Sequence, residues 1–242
     1  MRGIISFAEY TWSGKKRTKS EVKEAYRQRE FSSKLSNNEF AFIDDLEEPV
    51  SFWKNALLKG NKRNYLKKME DPLDNGVIDF PDKNDKGKWS EKYSERIEQA
   101  KLLLESCDSI EVNIKSMKSK AIRNNYTLEI YDVVNKLSQF APKALLALEA
   151  YDLATNKEEE LEAINRLHQL PEAFKELRTE MEKVYGKTRI LTKPKDYILD
   201  QDHHSHLANQ SISFDWQFNA EILFMEKIKK SNFKVDVQQV RP

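Results

Sequence analysis

Residues 93–117, YSERIEQAKLLLESCDSIEVNIKSM, decide the fold. Apolar positions recur there in alternating steps of four and three, and Ile110, Ile114 and Met117 continue the seam with a small offset. The first five positions are Tyr93, Ile97, Ala100, Leu104 and Cys107. This spacing is typical of one face of a long amphipathic helix. We expect Ser90 to cap its N-terminus.

Two further long helices are predicted downstream. One lies between turns at Asn124-Asn125 and Thr155-Asn156, and Pro142 should kink or split it. The other has Pro171 as a second bend and ends at Gly186. Their apolar positions are Leu128, Tyr131, Val134, Leu137, Ala141, Leu145 and Leu148, then Leu161, Ile164, Leu167, Phe174, Leu177, Met181 and Val184. Such helices bury their stripes against one another, so we predict a mainly α fold. It is an up-down helical bundle of three long helices plus shorter N- and C-terminal helices.

The chain divides into four predicted regions. Residues 1–60 form a helical segment, in which Thr18 and Glu21 have capping-box spacing and Pro49 suits a first helical turn. Residues 61–88 are rich in turn-forming residues and are predicted to be a loop or linker. Residues 89–186 form the three-helix bundle. Residues 187–242 form an extended segment and a C-terminal helix, capped by Asp215, that packs on the bundle.

Composition limits the function. The 242 residues have a net charge of +1, with 33% charged residues, 6 Gly and 7 Pro. This charge balance argues against nucleic acid and anionic membranes as partners, and few glycines favour helices over a β-rich fold. The single cysteine, Cys107, forms no internal disulfide. No signal peptide follows Met1, so an exported parent protein would have its signal upstream.

The N-terminal segment contains the most distinctive motif. Residues 3–13 read GIISFAEYTWS, an amphipathic helix followed by a charged turn and a second helix ending near Phe31. This segment resembles the last helix of the catalytic barrel in family 20 glycoside hydrolases, the β-N-acetylhexosaminidases. Ala8, Glu9, Trp12 and Ser13 match the family pattern Ala-Glu-Arg-x-Trp-Ser, whereas Tyr10 replaces the arginine. The resemblance covers residues 3–31, and the rest is compatible with the helical extension of some bacterial members.

The resemblance implies substrate-assisted hydrolysis of terminal N-acetylhexosamine by the parent enzyme, with an Asp orienting the acetamide and an adjacent Glu as general acid. This chain contains no Asp-Glu dipeptide. A (β/α)₈ barrel builds its site from loops after several strands, so we expect no catalytic residue and no cofactor here. We predict a non-catalytic C-terminal domain that braces the barrel or forms oligomer or substrate-cleft contacts. Its partner is the upstream barrel of the same polypeptide, and Glu9 and Trp12 are structural.

Three of the four histidines lie close together in the sequence. Asp202, His203, His204 and His206 are the residue types that bind zinc or another divalent metal. Their spacing matches no established zinc pattern, so we interpret the aspartates as turn caps and the histidines as surface packing residues. The aromatic residues at helical spacing could suggest a sugar platform, but we interpret them as core residues: Tyr126, Tyr131, Phe140 and Tyr151.

Two alternative functions stay open. The chain is an independent helical protein-interaction module if the N-terminal match is accidental, or a small metal-binding helical protein if the histidines bind an ion. The helix predicted at residues 4–12 would expose Ile4, Phe7 and Trp12 unless the bundle or a second copy covers them. We therefore expect the isolated chain to form a homodimer through residues 1–60.

Overall fold

The computed structural model describes residues 17–35, 41–60, 66, 69–188, 218–231 and 233. Within these residues 77% are helical and no strand is formed, which confirms the mainly α prediction. The α-helices are α1 (Lys19–Glu30), α2 (Phe42–Asp45), α3 (Glu47–Asn55), α4 (Pro72–Asn75), α5 (Lys88–Lys92), α6 (Ser94–Lys120), α7 (Asn125–Ser138), α8 (Phe140–Leu153), α9 (Lys157–Tyr185) and α10 (Asn219–Lys230). In this part of the chain, no helix is both long enough and apolar enough to cross a membrane.

The long helices form an antiparallel bundle. Lys101 of α6 pairs with Glu149 of α8 at 3.0 Å, and Lys118 near the end of α6 pairs with Asp132 of α7 at 2.8 Å. Helix α8 lies between α6 and α9 and contacts both. Nine of its 14 residues are buried, because a helix with neighbours on two sides needs apolar residues on more than one face.

Pro142 splits the middle helix as predicted. Helix α7 ends at Ser138 and α8 begins at Phe140. Proline lacks an N–H, and its ring clashes with the carbonyl four residues earlier, here that of Ser138. By contrast, α9 is uninterrupted at Pro171, and its C-cap is Gly186.

The predicted cap at Ser90 is wrong. Ser90 lies inside the short helix α5, and a break at Tyr93 separates α5 from α6. The buried carboxylate of Asp152, at the end of α8, caps α5 instead. It accepts hydrogen bonds from the backbone N–H of Gly87 at 3.1 Å and of Ser90 at 2.8 Å. Gly87 has a φ of 79°, a left-handed conformation that favours glycine.

The buried face of α6 differs by one position from the predicted seam. Leu103 is buried, whereas the predicted Leu104 is only partly buried. Likewise, Val133 of α7 is buried, whereas the predicted Val134 is only partly buried. On α10, Phe224 is fully buried.

The described part of the predicted linker packs on the bundle. Val77 and Ile78 are fully buried in the same hydrophobic cluster as Leu57, Trp89 and Ile97. Leu58 and Val77 form an isolated antiparallel bridge, and the Ile78 N–H donates to the Leu57 carbonyl at 3.0 Å. The division of the chain at residues 61–88 stays a prediction.

The C-terminal helix also lies against the bundle. Phe218, which precedes α10, contacts Phe174 of α9 with ring centroids 5.4 Å apart. Phe233 contacts Tyr151 of α8 with ring centroids 4.7 Å apart. Asp215 and the predicted extended segment after residue 188 lie outside the described residues.

Candidate functional site

Helix α1 lies within residues 3–31, the stretch on which the predicted family resemblance rests, so its attachment to the bundle is the first candidate site. The predicted capping box is present at its N-terminus. The Glu21 N–H donates to Thr18 Oγ1 at 3.3 Å, and the Thr18 N–H donates to Glu21 Oε2 at 2.6 Å. The hydrogen bond from the Thr18 backbone lowers the pKa of Glu21. The capping box predicted from the sequence therefore marks the N-terminus of α1.

The turn between α6 and α7 holds the C-terminal end of α1. The Ile122 N–H donates to the Phe31 carbonyl at 3.1 Å. Arg123 Nη2 donates to the Gln28 carbonyl at 2.9 Å, and Asn124 Nδ2 to the Glu30 carbonyl at 2.7 Å. The last carbonyls of a helix have no intrahelical partner. Residues 122–124 supply those partners from the bundle.

A small apolar cluster reinforces these bonds. Phe31, Leu35 and Phe42 of the N-terminal segment are buried with residues of α6 and α7, namely Ile110, Ile114, Met117 and Leu128. Tyr131 packs edge-on against Phe42 with ring centroids 5.6 Å apart. We call the contacts of residues 26–42 with residues 110–131 the α1 junction. It joins α1 to the bundle through side-chain packing and backbone hydrogen bonds.

The N-terminal motif and the histidine cluster both lie outside the described residues. Ala8, Glu9, Tyr10, Trp12 and Ser13 lie outside the described residues. The same is true of the proposed metal ligands Asp202, His203, His204 and His206. Among the residues described, no group of three or more His, Cys, Asp or Glu side chains is arranged to hold a metal ion.

The aromatic residues lie where a core interpretation expects them. Phe140 and Tyr151 are buried, and Tyr126 and Tyr131 are partly buried. Phe140 contacts Phe174 of α9 with ring centroids 4.9 Å apart. These rings fill the space between helices and form no flat exposed platform.

A cleft lies near the end of α8 and the start of α9, close to Phe233. It has a volume of about 540 Å³ and falls in the range of small-molecule sites. Its walls are the loop after Phe80, the α8 residue Tyr151 and the segment after α10: Phe80, Pro81, Asp82, Lys83, Asn84, Tyr151, Ser231 and Phe233. The residues that line the cleft and the residues of the α1 junction do not overlap, so the two sites are separate.

The polar groups of this cleft already pair with one another. Lys83 forms an ion pair with Glu160 and lies 5.8 Å from the centre of the Tyr151 ring. The hydrogen bond with Glu160 raises the pKa of Lys83, and burial raises the pKa of Tyr151. Both groups therefore stay protonated near neutral pH. Neither is prepared to act as a general base.

Cys107 is not an activated nucleophile. Its side chain is buried between α6 and α7, with Sγ 3.8 Å from Ser138 Oγ. Burial raises the pKa of its thiol, which disfavours the reactive thiolate. The described residues therefore offer no constellation with nucleophilic or acid–base character at this position.

The sequence interpretation missed two residues that organise these regions. Asp152 is 4% exposed, but its neighbours in the sequence indicate only the end of an apolar helix. Asn124 was predicted to be a turn residue, and its φ of 55° agrees with that role. Its hydrogen bonds to the end of α1 were not predicted. Hydrogen bonds across 62 and 94 residues leave no local pattern in the sequence.

Comparisons with protein-family models, curated proteins and solved structures find no match to this chain.

Proposed function

We propose that this chain is a non-catalytic C-terminal helical domain of a family 20-like glycoside hydrolase of the β-N-acetylhexosaminidase type. Its role is to brace the catalytic barrel of the same polypeptide. The observation on which the proposal rests is the motif Ala8-Glu9-x-x-Trp12-Ser13, placed a few residues before α1.

The α1 junction supports a bracing role. A helix that follows directly on a barrel transmits its position to the bundle only if it is attached to the bundle. The capping box sets where α1 begins, and residues 122–124 bind its final carbonyls. A mobile tether would need none of these contacts.

The absence of an Asp-Glu pair from the sequence supports the non-catalytic part of the proposal. We predict that the purified chain releases no p-nitrophenol from p-nitrophenyl N-acetylglucosaminide above a boiled control. A polypeptide that includes the upstream barrel should release it. Turnover by the purified chain, retained through repeated chromatography, would contradict this prediction.

The decisive experiment is to follow the reading frame upstream of the codon for Met1. The proposal expects a continuous frame that encodes a Gly-Gly-Asp-Glu motif and the remaining barrel strands. A ribosome-binding site directly before Met1, with no open frame above it, would favour an independent helical module. In that case a homodimer through residues 1–60 becomes the expected assembly, and sedimentation velocity over a range of concentrations would detect it.

A further inference from the structure

A second cleft lies between α3 and α6 and shares no lining residue with the cleft near Tyr151. Its volume is about 390 Å³, which is within the range of small-molecule sites. The partly buried side chain of Phe52 gives the cleft an apolar wall. Both helices also contribute polar and charged groups to it: Glu48, Asn55, Glu95, Arg96 and Gln99.

The guanidinium of Arg96 is held in a fixed position in this cleft. Its Nη1 donates to the Ala56 carbonyl at 2.9 Å and to the Leu58 carbonyl at 2.8 Å. The guanidinium carbon lies 5.4 Å from the centre of the Tyr93 ring. The Nε and Nη2 groups form the other edge of the planar fork, and such an edge binds a carboxylate through two parallel hydrogen bonds.

The charge of the cleft limits what can bind there. Burial lowers the pKa of Arg96, so a bound anion would offset the cost of burying its charge. Within the described part of the chain, no ion pair joins Arg96 to Glu48 or Glu95, in contrast to Lys83 and Glu160 in the other cleft. Two carboxylates and one guanidinium leave one net negative charge, which disfavours a simple anion. A matching ligand therefore carries a cationic group as well as an anionic one.

We propose that this cleft binds a free α-amino acid with an apolar side chain. The carboxylate of the ligand binds Arg96, and its ammonium group pairs with Glu48 and Glu95. Its side chain packs against Phe52. This inference goes beyond the proposed bracing role and does not depend on it.

Titration calorimetry of the full chain with leucine and with phenylalanine tests the proposal. Two matched ligands separate the contributions of the charged groups, because isocaproate lacks the ammonium group of leucine and isoamylamine lacks its carboxylate. We expect at least one of the two amino acids to bind saturably. Each truncated ligand should bind about tenfold more weakly than leucine, since it loses hydrogen bonds to a charged partner.

Variants of the cleft provide an independent test. Glu95→Gln and Arg96→Lys should each weaken binding of the amino acid by about tenfold, through loss of one charge and of the planar fork. Glu95 is exposed, so its substitution should leave the fold intact, and circular dichroism checks this. The matched control is Glu105→Gln, at an exposed position of α6 outside the cleft, which should leave binding unchanged.

Three results would overturn the proposal. The first is a lack of saturable binding of both amino acids up to roughly 10 mM. The second is equal affinity for leucine and isoamylamine, which would reduce the cleft to a site for cations. The third is an equal loss of binding in the Glu95→Gln and Glu105→Gln variants. None of these results bears on the upstream reading frame, so the proposed function and this inference fail independently.

Discussion

At the scale of single residues, the buried carboxylate of Asp152 joins the end of α8 to the start of α5. Asp152, near the C-terminal end of α8, accepts two backbone hydrogen bonds from the start of α5. The donors lie more than 60 residues earlier in the chain. Backbone N–H groups at a helix start need an acceptor, and in most helices a neighbouring side chain provides it. Here the acceptor comes from α8, so the cap also ties two distant segments together.

Replacing this carboxylate should be costly. We expect Asp152→Ala to lower the free energy of unfolding by about 1–3 kcal/mol, because two N–H groups lose their acceptor in a buried site. Urea denaturation followed by circular dichroism measures the change. The control is Asp85→Ala, at an exposed position in the loop before α5, which should change stability by less than about 0.5 kcal/mol. Equal effects of the two substitutions would refute the capping role.

A second residue, Asp79, should make the stability of the fold depend on pH. Asp79 binds Lys59 at 2.5 Å, Lys92 at 2.7 Å and the Tyr93 hydroxyl at 3.3 Å. Partial burial raises the pKa of Asp79, but the hydrogen bonds with Lys59 and Lys92 outweigh it and lower the pKa from 3.8 to about 2. The folded state thus favours the ionised carboxylate.

The sign of the effect follows from linkage. A pKa lowered by folding contributes stability above the unfolded value, and that contribution disappears as the pH falls from about 4 to about 2. Asp79→Asn should therefore destabilise the protein at pH 6 and have a smaller effect at pH 2.5. Urea midpoints at the two pH values measure this, with Asp85→Asn as the control. An equal loss at both values would contradict the ionic role of Asp79.

At the scale of secondary-structure elements, the α1 junction should control the local stability of α1. Asn124→Ala places a non-glycine residue without a polar side chain at a φ of 55° and removes the donor to the Glu30 carbonyl. We expect backbone amides of α1 to exchange about tenfold faster, while amides of α9 change little. Hydrogen exchange followed by mass spectrometry provides the measurement. Asn165→Ala, at an exposed position of α9, should leave α1 unchanged. Uniform acceleration in α1 and α9 would show that Asn124 supports the whole molecule instead.

Periodicity predicted the elements better than it predicted their faces. The three long helices and the split at Pro142 follow from apolar spacing and from the chemistry of proline. The choice between Leu103 and Leu104 does not, because residues 102–104 are all leucine and their spacing does not distinguish the buried one. Val77 and Ile78 were assigned to a linker because turn residues surround them, although their burial arises from contacts with distant residues. For the candidate site, the sequence indicated the start of α1 but not the partners of its end.

At the scale of the whole molecule, the described part of residues 61–88 should contribute to global stability. We expect Ile78→Ala to lower the free energy of unfolding by about 2–5 kcal/mol, because Ile78 is fully buried in the bundle core. Circular dichroism and tryptophan fluorescence should report the same single transition, shifted in parallel. The control is Ile122→Ala at a position that is 72% exposed. Two separate transitions, of which only one moves, would instead support a domain division at this segment.

The antiparallel order of the long helices also has a kinetic consequence. Helices α6 to α9 pack against partners close to them in sequence, and contacts of this kind form quickly because little loop entropy is lost. Helix α10 behaves differently: its Lys227 donates to the Leu73 carbonyl across 154 residues. During synthesis, α6 to α9 can therefore assemble before α10 has emerged from the ribosome. We therefore expect the bundle to fold early and α10 to dock on it afterwards.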